Sequence, residues 1–249
     1  MKKAILILAA SAFMAVNAQA QSVDEIIDNY FENTGGMEAW GNLKGFKFSA
    51  KVSQQGMEIP IEIVQMADGR QYTKISIQGM SIMQGVFDGT TLWSTNFQTM
   101  KAEKMDDETT ENVKRSAAVA FPDNLYKYKE KGFTAELMGK ETVEGTETFK
   151  IKLTQKPVLV DGEEVENVTY YYMDTENFVP IVQEKEMLFG PQKGIISWTT
   201  LSDYQEVEGM YFPFSMAQGI KDGMSQPITI EAIELNPEVE DSAFTFPEN

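Results

Sequence analysis

Hydrophobic and polar residues alternate along most of this chain, and a repeat of two residues is typical of half-buried β-strands. The clearest alternation runs through Phe46, Phe48, Ala50 and Val52, and it resumes with Ile59, Ile61 and Ile63. The pattern predicts strands over residues 46–52, 59–63, 72–77, 80–87 and up to Trp93, then over 133–138, 149–153, 158–160, 165–173, 179–184, 195–204, 211–218 and 228–235. Asp-Gly turns at residues 68–69, 88–89 and 161–162 join neighbouring strands into antiparallel meanders.

Two other stretches repeat every three to four residues and predict helices. The first begins at Ser22, where Glu25 completes a capping box, and it ends at Gly35. Its apolar stripe consists of Val23, Ile26, Ile27, Tyr30 and Phe31. A second helix is predicted within residues 96–121, and Pro122 stops it. Because the first helix has one apolar stripe, we expect it to lie on a sheet.

Ten or more meandering strands with two helices fit either a closed barrel or one strongly curved open sheet. Helices with a single apolar stripe favour the open sheet. We therefore predict a mainly β (α+β) fold, in which a strongly curved antiparallel sheet forms an incomplete barrel with helices covering its concave face. Residues 21–249 contain no compositional break or linker, so we expect a single domain. Such a fold would keep a covered cavity empty instead of filling it with its own side chains.

The first twenty residues have the organisation of a secretory signal peptide. Lys2 and Lys3 precede an apolar stretch over residues 4–16, and Ala18-Gln19-Ala20 supplies the small residues of a cleavage site. The alternative is an uncleaved membrane anchor, but the apolar stretch is shorter than the roughly 20 residues that span a bilayer. We expect cleavage after Ala20 and export of the mature chain.

Composition excludes several classes of chemistry. The chain has no cysteine and no histidine, which removes disulfides, thiolate nucleophiles, serine triads and histidine metal ligands. Its formal net charge is −17, and loss of Lys2 and Lys3 with the signal peptide makes it −17 − 2 = −19. There is no basic block, so a nucleic-acid partner is not expected. Carboxylates, lysines and tyrosines remain as candidate catalytic groups.

Two acidic clusters are candidates for catalysis by a pair of carboxylates. They lie at residues 106–108 and 163–164, and a pair of acids facing each other across a cleft can hydrolyse glycosides. A solvated helix start for the first cluster and a hairpin tip for the second are the favoured interpretations in so acidic a chain. Neither cluster has the spacing of a calcium-binding loop.

Aromatic residues on the predicted strands either line a ligand cavity or fill a core, and for any single residue core filling is the better interpretation. The methionine content favours a cavity for the set as a group. The chain has 15 methionines, and 15 − 2 = 13 remain after removal of Met1 and Met14. Flexible thioether side chains adapt to apolar ligands of variable shape, although they also fill irregular gaps in cores.

The chain thus carries an amphipathic helix, a meander, an inserted helix and a second meander. Five stretches stand out in that order: IIDNYFENTGGMEAWGNLKGFKFSAKV (26–52), VFDGTTLW (86–93), YYYMDTENFVPIV (170–182), SDYQEVEGMYFPF (202–214) and IEAIELNPEVEDSAFTFP (230–247). In their order and content they resemble the LolA-type periplasmic lipoprotein carriers, in the Bacteroidetes branch labelled outer membrane lipoprotein-sorting protein. The resemblance covers nearly all of the mature chain.

The resemblance implies an incomplete β-barrel whose apolar interior takes the acyl chains of lipoproteins or lipids and carries them across the periplasm toward the outer membrane. It implies a monomer with no catalytic residues, no cofactor and no metal. An inner-membrane donor complex and an outer-membrane acceptor are the expected partners. The residues that we predict to line the hydrophobic cavity are Phe46, Phe48, Ile61, Ile63, Tyr72, Ile75, Phe87, Trp93, Tyr170, Tyr172, Trp198 and Phe214.

One arginine is a candidate for a lid or gate. The best-known carriers have an Arg-Pro pair at a strand end, where this chain reads Gln65-Met66-Ala67-Asp68, and Arg70 follows shortly after. Arg70 and Arg115 are the only arginines in the chain. From the residues alone, a plain surface charge is the favoured interpretation of Arg70, and a guanidinium at a cavity mouth is the alternative.

Two other functions are compatible with the sequence. The same fold could serve as an envelope module that senses lipids or binds a protein partner. A hydrolase that uses two carboxylates ranks third.

Overall fold

A computed structural model describes residues 21–54 and 56–248. The predicted signal peptide, residues 1–20, lies outside the described residues. Among the described residues, no helix combines the length and the apolar character needed to cross a bilayer.

In the described part of the chain, thirteen antiparallel strands form one sheet in the order β6-β5-β4-β3-β2-β1-β13-β12-β11-β10-β9-β8-β7. The strands are β1 (Gly45–Gln54), β2 (Met57–Met66), β3 (Gln71–Ile77), β4 (Met80–Phe87), β5 (Leu92–Thr95), β6 (Ala102–Lys104), β7 (Thr134–Val143), β8 (Thr146–Val160), β9 (Glu163–Asp174), β10 (Pro180–Glu186), β11 (Ile196–Val207), β12 (Met210–Ile220) and β13 (Ser225–Leu235). β6 and β7 stand at opposite edges and do not pair, so the barrel is incomplete. The predicted fold class is confirmed.

Three α-helices accompany the sheet in the described residues: α1 (Val23–Asn33), α2 (Met37–Gly41) and α3 (Asp107–Ala120). The predicted capping box is present, since the Ser22 hydroxyl accepts from the Glu25 amide at 3.2 Å and the Glu25 carboxylate accepts from the Ser22 amide at 2.8 Å. α3 is shorter than the stretch predicted for it, because residues 96–104 form the β5–β6 turn and β6.

The concave face of the sheet is densely packed over one half of its length. Pairing across β1 and β2 places Phe46, Phe48 and Ala50 on the same face, and this face packs against α1, α2 and the segment 121–133. The strand side chains buried in this cluster are Phe46, Ala50, Phe149, Ile151, Leu153, Tyr171, Met173, Met210, Phe212, Ile230 and Ile233. We call this half the closed end of the sheet.

The other half of each long strand extends past these helices. β1, β10 and β12 end here, and β11 and β13 begin here, so their terminal residues surround one opening. We call this half the open end.

α3 lies along the edge of β8 and reaches the β2–β3 turn on the other side of the incomplete barrel. Beyond its pairing with β7, β8 has a free edge over residues 155–160, and the Asn112 side chain bonds both the Leu159 carbonyl and the Leu159 amide at 2.8 and 2.7 Å. At the far end of α3, a Cβ on Gly69 would lie 3.0 Å from the Ala118 nitrogen, so the β2–β3 turn approaches the helix closely. α3 therefore connects β8, on one side of the incomplete barrel, to the β2–β3 turn on the other side.

The convex face carries a second core. Val64, Tyr72, Val86 and Trp93 are buried there under the C-terminal segment, residues 236–248, of which Phe244 is fully buried. The Trp93 indole donates to the Phe244 carbonyl at 3.0 Å.

This packing predicts that Phe244→Ala destabilises the protein by about 3 kcal/mol, because it removes a fully buried aromatic ring. The matched control is Phe97→Ala, since Phe97 is 60% exposed and its loss should change the free energy of unfolding by less than about 0.5 kcal/mol. Denaturant unfolding measures both values. Equal effects of the two substitutions would contradict this account of the convex core.

Candidate ligand site at the open end

The predicted lining residues divide between the two faces of the sheet. Cross-strand partners share a face, and the register places Phe46, Phe48, Ile61, Ile63, Ile75, Phe87 and Phe214 on the concave face. It places Tyr72, Trp93, Tyr170, Tyr172 and Trp198 on the convex face. Alternation with a period of two shows which residues share a face of the sheet. It does not show whether that face is the concave or the convex one.

The five convex residues do not reach the interior, which corrects the predicted lining. Tyr72 and Trp93 pack under Phe244, and Tyr172 lies 5.5 Å from Trp198, ring to ring. Tyr170 packs in the same cluster on the convex face as Tyr172 and Trp198. Lys150 and Lys221 flank this cluster.

The concave residues of the closed end fill a core. The Phe46 ring lies 5.2 Å from Phe121 and 5.7 Å from Phe212, and it is only 3% exposed. Phe48, Ile61 and Phe214 pack against the same cluster. The expectation of an empty hollow over the full concave face is therefore wrong for the closed end.

The open end contains two adjoining cavities. The larger has a volume of about 720 Å³ and the smaller about 270 Å³, and they share Met187 and Ser197. The larger is lined by Ser53, Gln54, Met187, Gln192, Ser197, Gln218, Gly219, Ile220, Met224, Ser225 and Gln226. Seven of these eleven residues are serine or glutamine and none is charged, so the wall of the larger cavity combines hydrogen-bonding groups with apolar surface.

The smaller cavity is more apolar. It lies between β8, β9, β10 and β11, and the loop after β10 covers it. Its lining residues are Val158, Asn167, Lys185, Glu186, Met187, Leu188, Phe189 and Ser197.

Exposed apolar side chains surround this end of the sheet. Some of them lie at the start of β2 and β4, at the end of β12 or in the turn after β12, and another lies in the loop after β10. The β5–β6 turn carries the others and lies beside β4, where the Thr95 hydroxyl accepts from the Met83 amide. These rim residues are Met57, Met80, Phe97, Met100, Phe189, Ile220 and Met224. Met224 is 93% exposed. An apolar rim around an opening is typical of a site that meets a lipid or another protein.

None of the residues lining these two cavities was among the predicted lining set. Met187, Leu188 and Phe189 follow the last residue of β10 in a loop without a periodic pattern. The methionine content was the one sequence signal that favoured a cavity for an apolar ligand, and it did not identify which residues line that cavity.

A third cavity, of about 290 Å³, lies deeper, between the β2–β3 turn, β9, β10 and α3, and it is polar. Asp123 is half-buried at its wall, where the Leu125 amide and the Tyr30 hydroxyl donate to its carboxylate at 2.7 and 3.3 Å. Burial raises the pKa of Asp123 above its ordinary 3.8 and raises the pKa of the nearby Tyr171. Such a wall would not stabilise an acyl chain, so the open end is the better candidate for an apolar ligand.

The acidic clusters have structural partners. Asp106 caps α3 by accepting from the Thr109 amide at 2.8 Å, and the Glu108 carboxylate accepts from the Asp161 and Gly162 amides at 3.1 and 2.6 Å. Glu164 bonds Arg115 at 3.1 Å. The clusters therefore fasten the start of α3 to the β8–β9 turn. Among the described residues, no three acidic side chains gather into a metal site.

Arg70 also joins two segments. Its guanidinium bonds the Asp68 carboxylate at 2.8 Å and the Asp241 carboxylate at 2.5 Å, and it lies 4.9 Å from the centre of the Phe244 ring. These contacts attach the β2–β3 turn to the C-terminal segment. The predicted gate at Arg70 stays a prediction.

No protein-family model and no curated protein matches the sequence. Solved structures match its fold. A domain described as an outer membrane lipoprotein-sorting protein, from Vibrio parahaemolyticus, covers 88% of this chain and 94% of its own, with a TM-score of 0.52 and 9% identity. A LolA superfamily protein from Nitrosomonas europaea covers 91% and 98%, with a TM-score of 0.52 and 10% identity. The chain has a LolA-like fold.

A third structure extends the comparison. A DUF1329 family protein from Desulfovibrio piger covers 90% of this chain and 98% of its own, with a TM-score of 0.53 and 11% identity. At such low identities the likeness establishes the fold alone. The Bacteroidetes branch stays a prediction.

The desolvated carboxyl group of Asp123 predicts a pH dependence. Because the pKa of Asp123 is higher in the folded protein than in the unfolded chain, its contribution to stability is present below pH 3.8 and is lost as pH rises through the folded pKa. Asp123→Asn does not ionise, so its stability relative to wild type should increase with pH over this range, by about 1.4 kcal/mol per unit of raised pKa. Thermal unfolding from pH 4 to pH 8 measures the difference. A difference independent of pH would contradict a raised pKa.

Proposed function

We propose that the protein is a noncatalytic periplasmic carrier, which binds the acyl chains of lipoproteins or lipids at the open end and carries them toward the outer membrane. A donor complex in the inner membrane and an acceptor at the outer membrane would be its partners, and the carrier would act as a monomer. The observation that carries the proposal is the pair of adjoining cavities inside a rim of exposed apolar side chains.

The size and chemistry of the open end support an amphiphilic ligand. Sites for small ligands typically have volumes of about 300–1,000 Å³ and combine apolar walls with a few polar groups. Met187, Leu188 and Phe189 offer apolar contacts to a chain, and the serine and glutamine wall offers hydrogen bonds to ester or hydroxyl groups. The proposed site therefore has more polar groups than the apolar interior that the resemblance implied.

The energetics suit reversible carriage. Burial of a methylene group contributes about 0.8 kcal/mol, so eight buried methylenes would contribute about 6 kcal/mol. The loss of translational freedom on association offsets part of this gain. Binding of this strength would hold a lipid in transit and still allow its release to an acceptor.

The proposal predicts that Met187→Glu abolishes lipid binding, because it places a charge between the two cavities. Native mass spectrometry of protein purified from its own periplasm should show wild type carrying one or two lipids and Met187→Glu carrying at least about tenfold less. The matched control is Met138→Glu on β7, since Met138 is 54% exposed and lines neither cavity. Unchanged thermal unfolding of both variants would show that they fold.

Two outcomes would contradict the proposal. One is bare wild-type protein, even after incubation with lipoprotein. The other is a stable complex with a protein partner and no lipid, which would favour the envelope module instead.

A further inference from the structure

A lysine projects into the smaller cavity at the open end. Lys185 on β10 lies opposite Thr169 on β9 and Ser197 on β11, so the three share the concave face. Its side chain is exposed, yet the surrounding protein desolvates it and lowers its pKa, which is the combination expected of a side chain in a cavity. Among the residues that the structure describes, no carboxylate lies within ion-pair distance of Lys185.

An asparagine in the same cavity has an unused acceptor. Asn167 lies two residues before Thr169 on β9 and is 5% exposed. In the described part of the chain, no donor lies within hydrogen-bond distance of Asn167 Oδ1, whereas its amide nitrogen contacts the Lys156 carbonyl at 3.5 Å. A buried acceptor without a donor is uncommon in folded proteins and calls for an explanation.

The two groups have complementary requirements. An ammonium group needs an anionic or neutral acceptor, and an amide oxygen needs a donor. Apolar side chains adjoin both groups, namely Val158, Leu188 and Phe189, and Glu186 is the one acidic residue in the lining. A ligand that satisfies the cavity would therefore carry an anionic oxygen, a hydroxyl and an apolar chain.

We infer that the smaller cavity holds the polar end of an anionic acyl amphiphile, with Lys185 bound to an anionic oxygen and Asn167 Oδ1 accepting from a hydroxyl. This inference rests on the proposed function and names the ligand class within it. The acyl chain lies along Met187, Leu188 and Phe189 toward the rim, and the anionic group is selected by the single basic residue of the cavity lining.

Two probes of matched shape test the inference. 1-Oleoyl lysophosphatidic acid and monoolein share the oleoyl chain and the hydroxyl at the central glycerol carbon, and in the first a phosphate replaces the terminal hydroxyl of the second. Calorimetric titration of the mature protein should show tighter binding of the phosphate-bearing probe by roughly tenfold, the size expected of one charge-assisted hydrogen bond. Lys185→Gln should remove this preference and Lys185→Arg should retain it.

Two further variants separate a binding role from a structural one. Lys152→Gln is the matched control, because Lys152 lies opposite Tyr170 on the convex face and its removal should leave the preference unchanged. Asn167→Leu should weaken the binding of both probes, since both donate a hydroxyl, without lowering the melting temperature. A loss of stability in Asn167→Leu without a loss of affinity would overturn the role of Asn167.

The outcomes distinguish this inference from the proposed function. Equal binding of both probes by wild type, or an unchanged preference in Lys185→Gln, overturns the inference and leaves the carrier proposal standing. Failure of wild type to bind either probe also overturns the inference, whereas the carrier proposal falls only if the wild type stays bare after incubation with lipoprotein.

Discussion

The apolar stripe of α1 packs against the concave face of the sheet, and the rest of the structure depends on this contact. Ile26 and Phe31 are fully buried there, and α2 and the segment 121–133 extend the same cluster. Burial of this stripe removes apolar surface of both the helix and the sheet from water, which stabilises the closed end. Because α1 has only eleven residues, it covers one half of the long strands and leaves the other half without a helix above it.

The open end follows from that limit. Its strands continue past the core, so their inward side chains face two cavities instead of a packed helix, and many of these side chains are serine or glutamine. α3 keeps the incomplete barrel together, since Asn112 and Glu108 fasten it to β8 and the β8–β9 turn. A firm closed half and an unfilled open half suit a protein that binds an amphiphile reversibly at one end.

The sequence predicted the elements well and the site poorly, for physical reasons. Alternation and turn residues depend on local geometry, so most strands and the capping box at Ser22 were predicted correctly. The short β6 was predicted as part of a helix, and the single strand β8 was predicted as two strands. Which face of the sheet Trp93 occupies depends instead on the C-terminal segment that covers it. The Phe244 carbonyl, which accepts the hydrogen bond from the indole, is 151 residues away from Trp93 in sequence. Met187 lies in a loop without periodicity, and no local pattern marks a loop that covers a cavity.

Methionine methyl groups provide the most direct measurement of where an acyl chain binds. Isotope-labelled methionine spectra recorded with a nitroxide-labelled fatty acid should show strong broadening of Met187 and Met224, which line the open end. Met173, buried in the closed end, and Met138, exposed on β7, should stay sharp. Absence of broadening at Met187, or equal broadening of all four methyl groups, would contradict a ligand site at the open end.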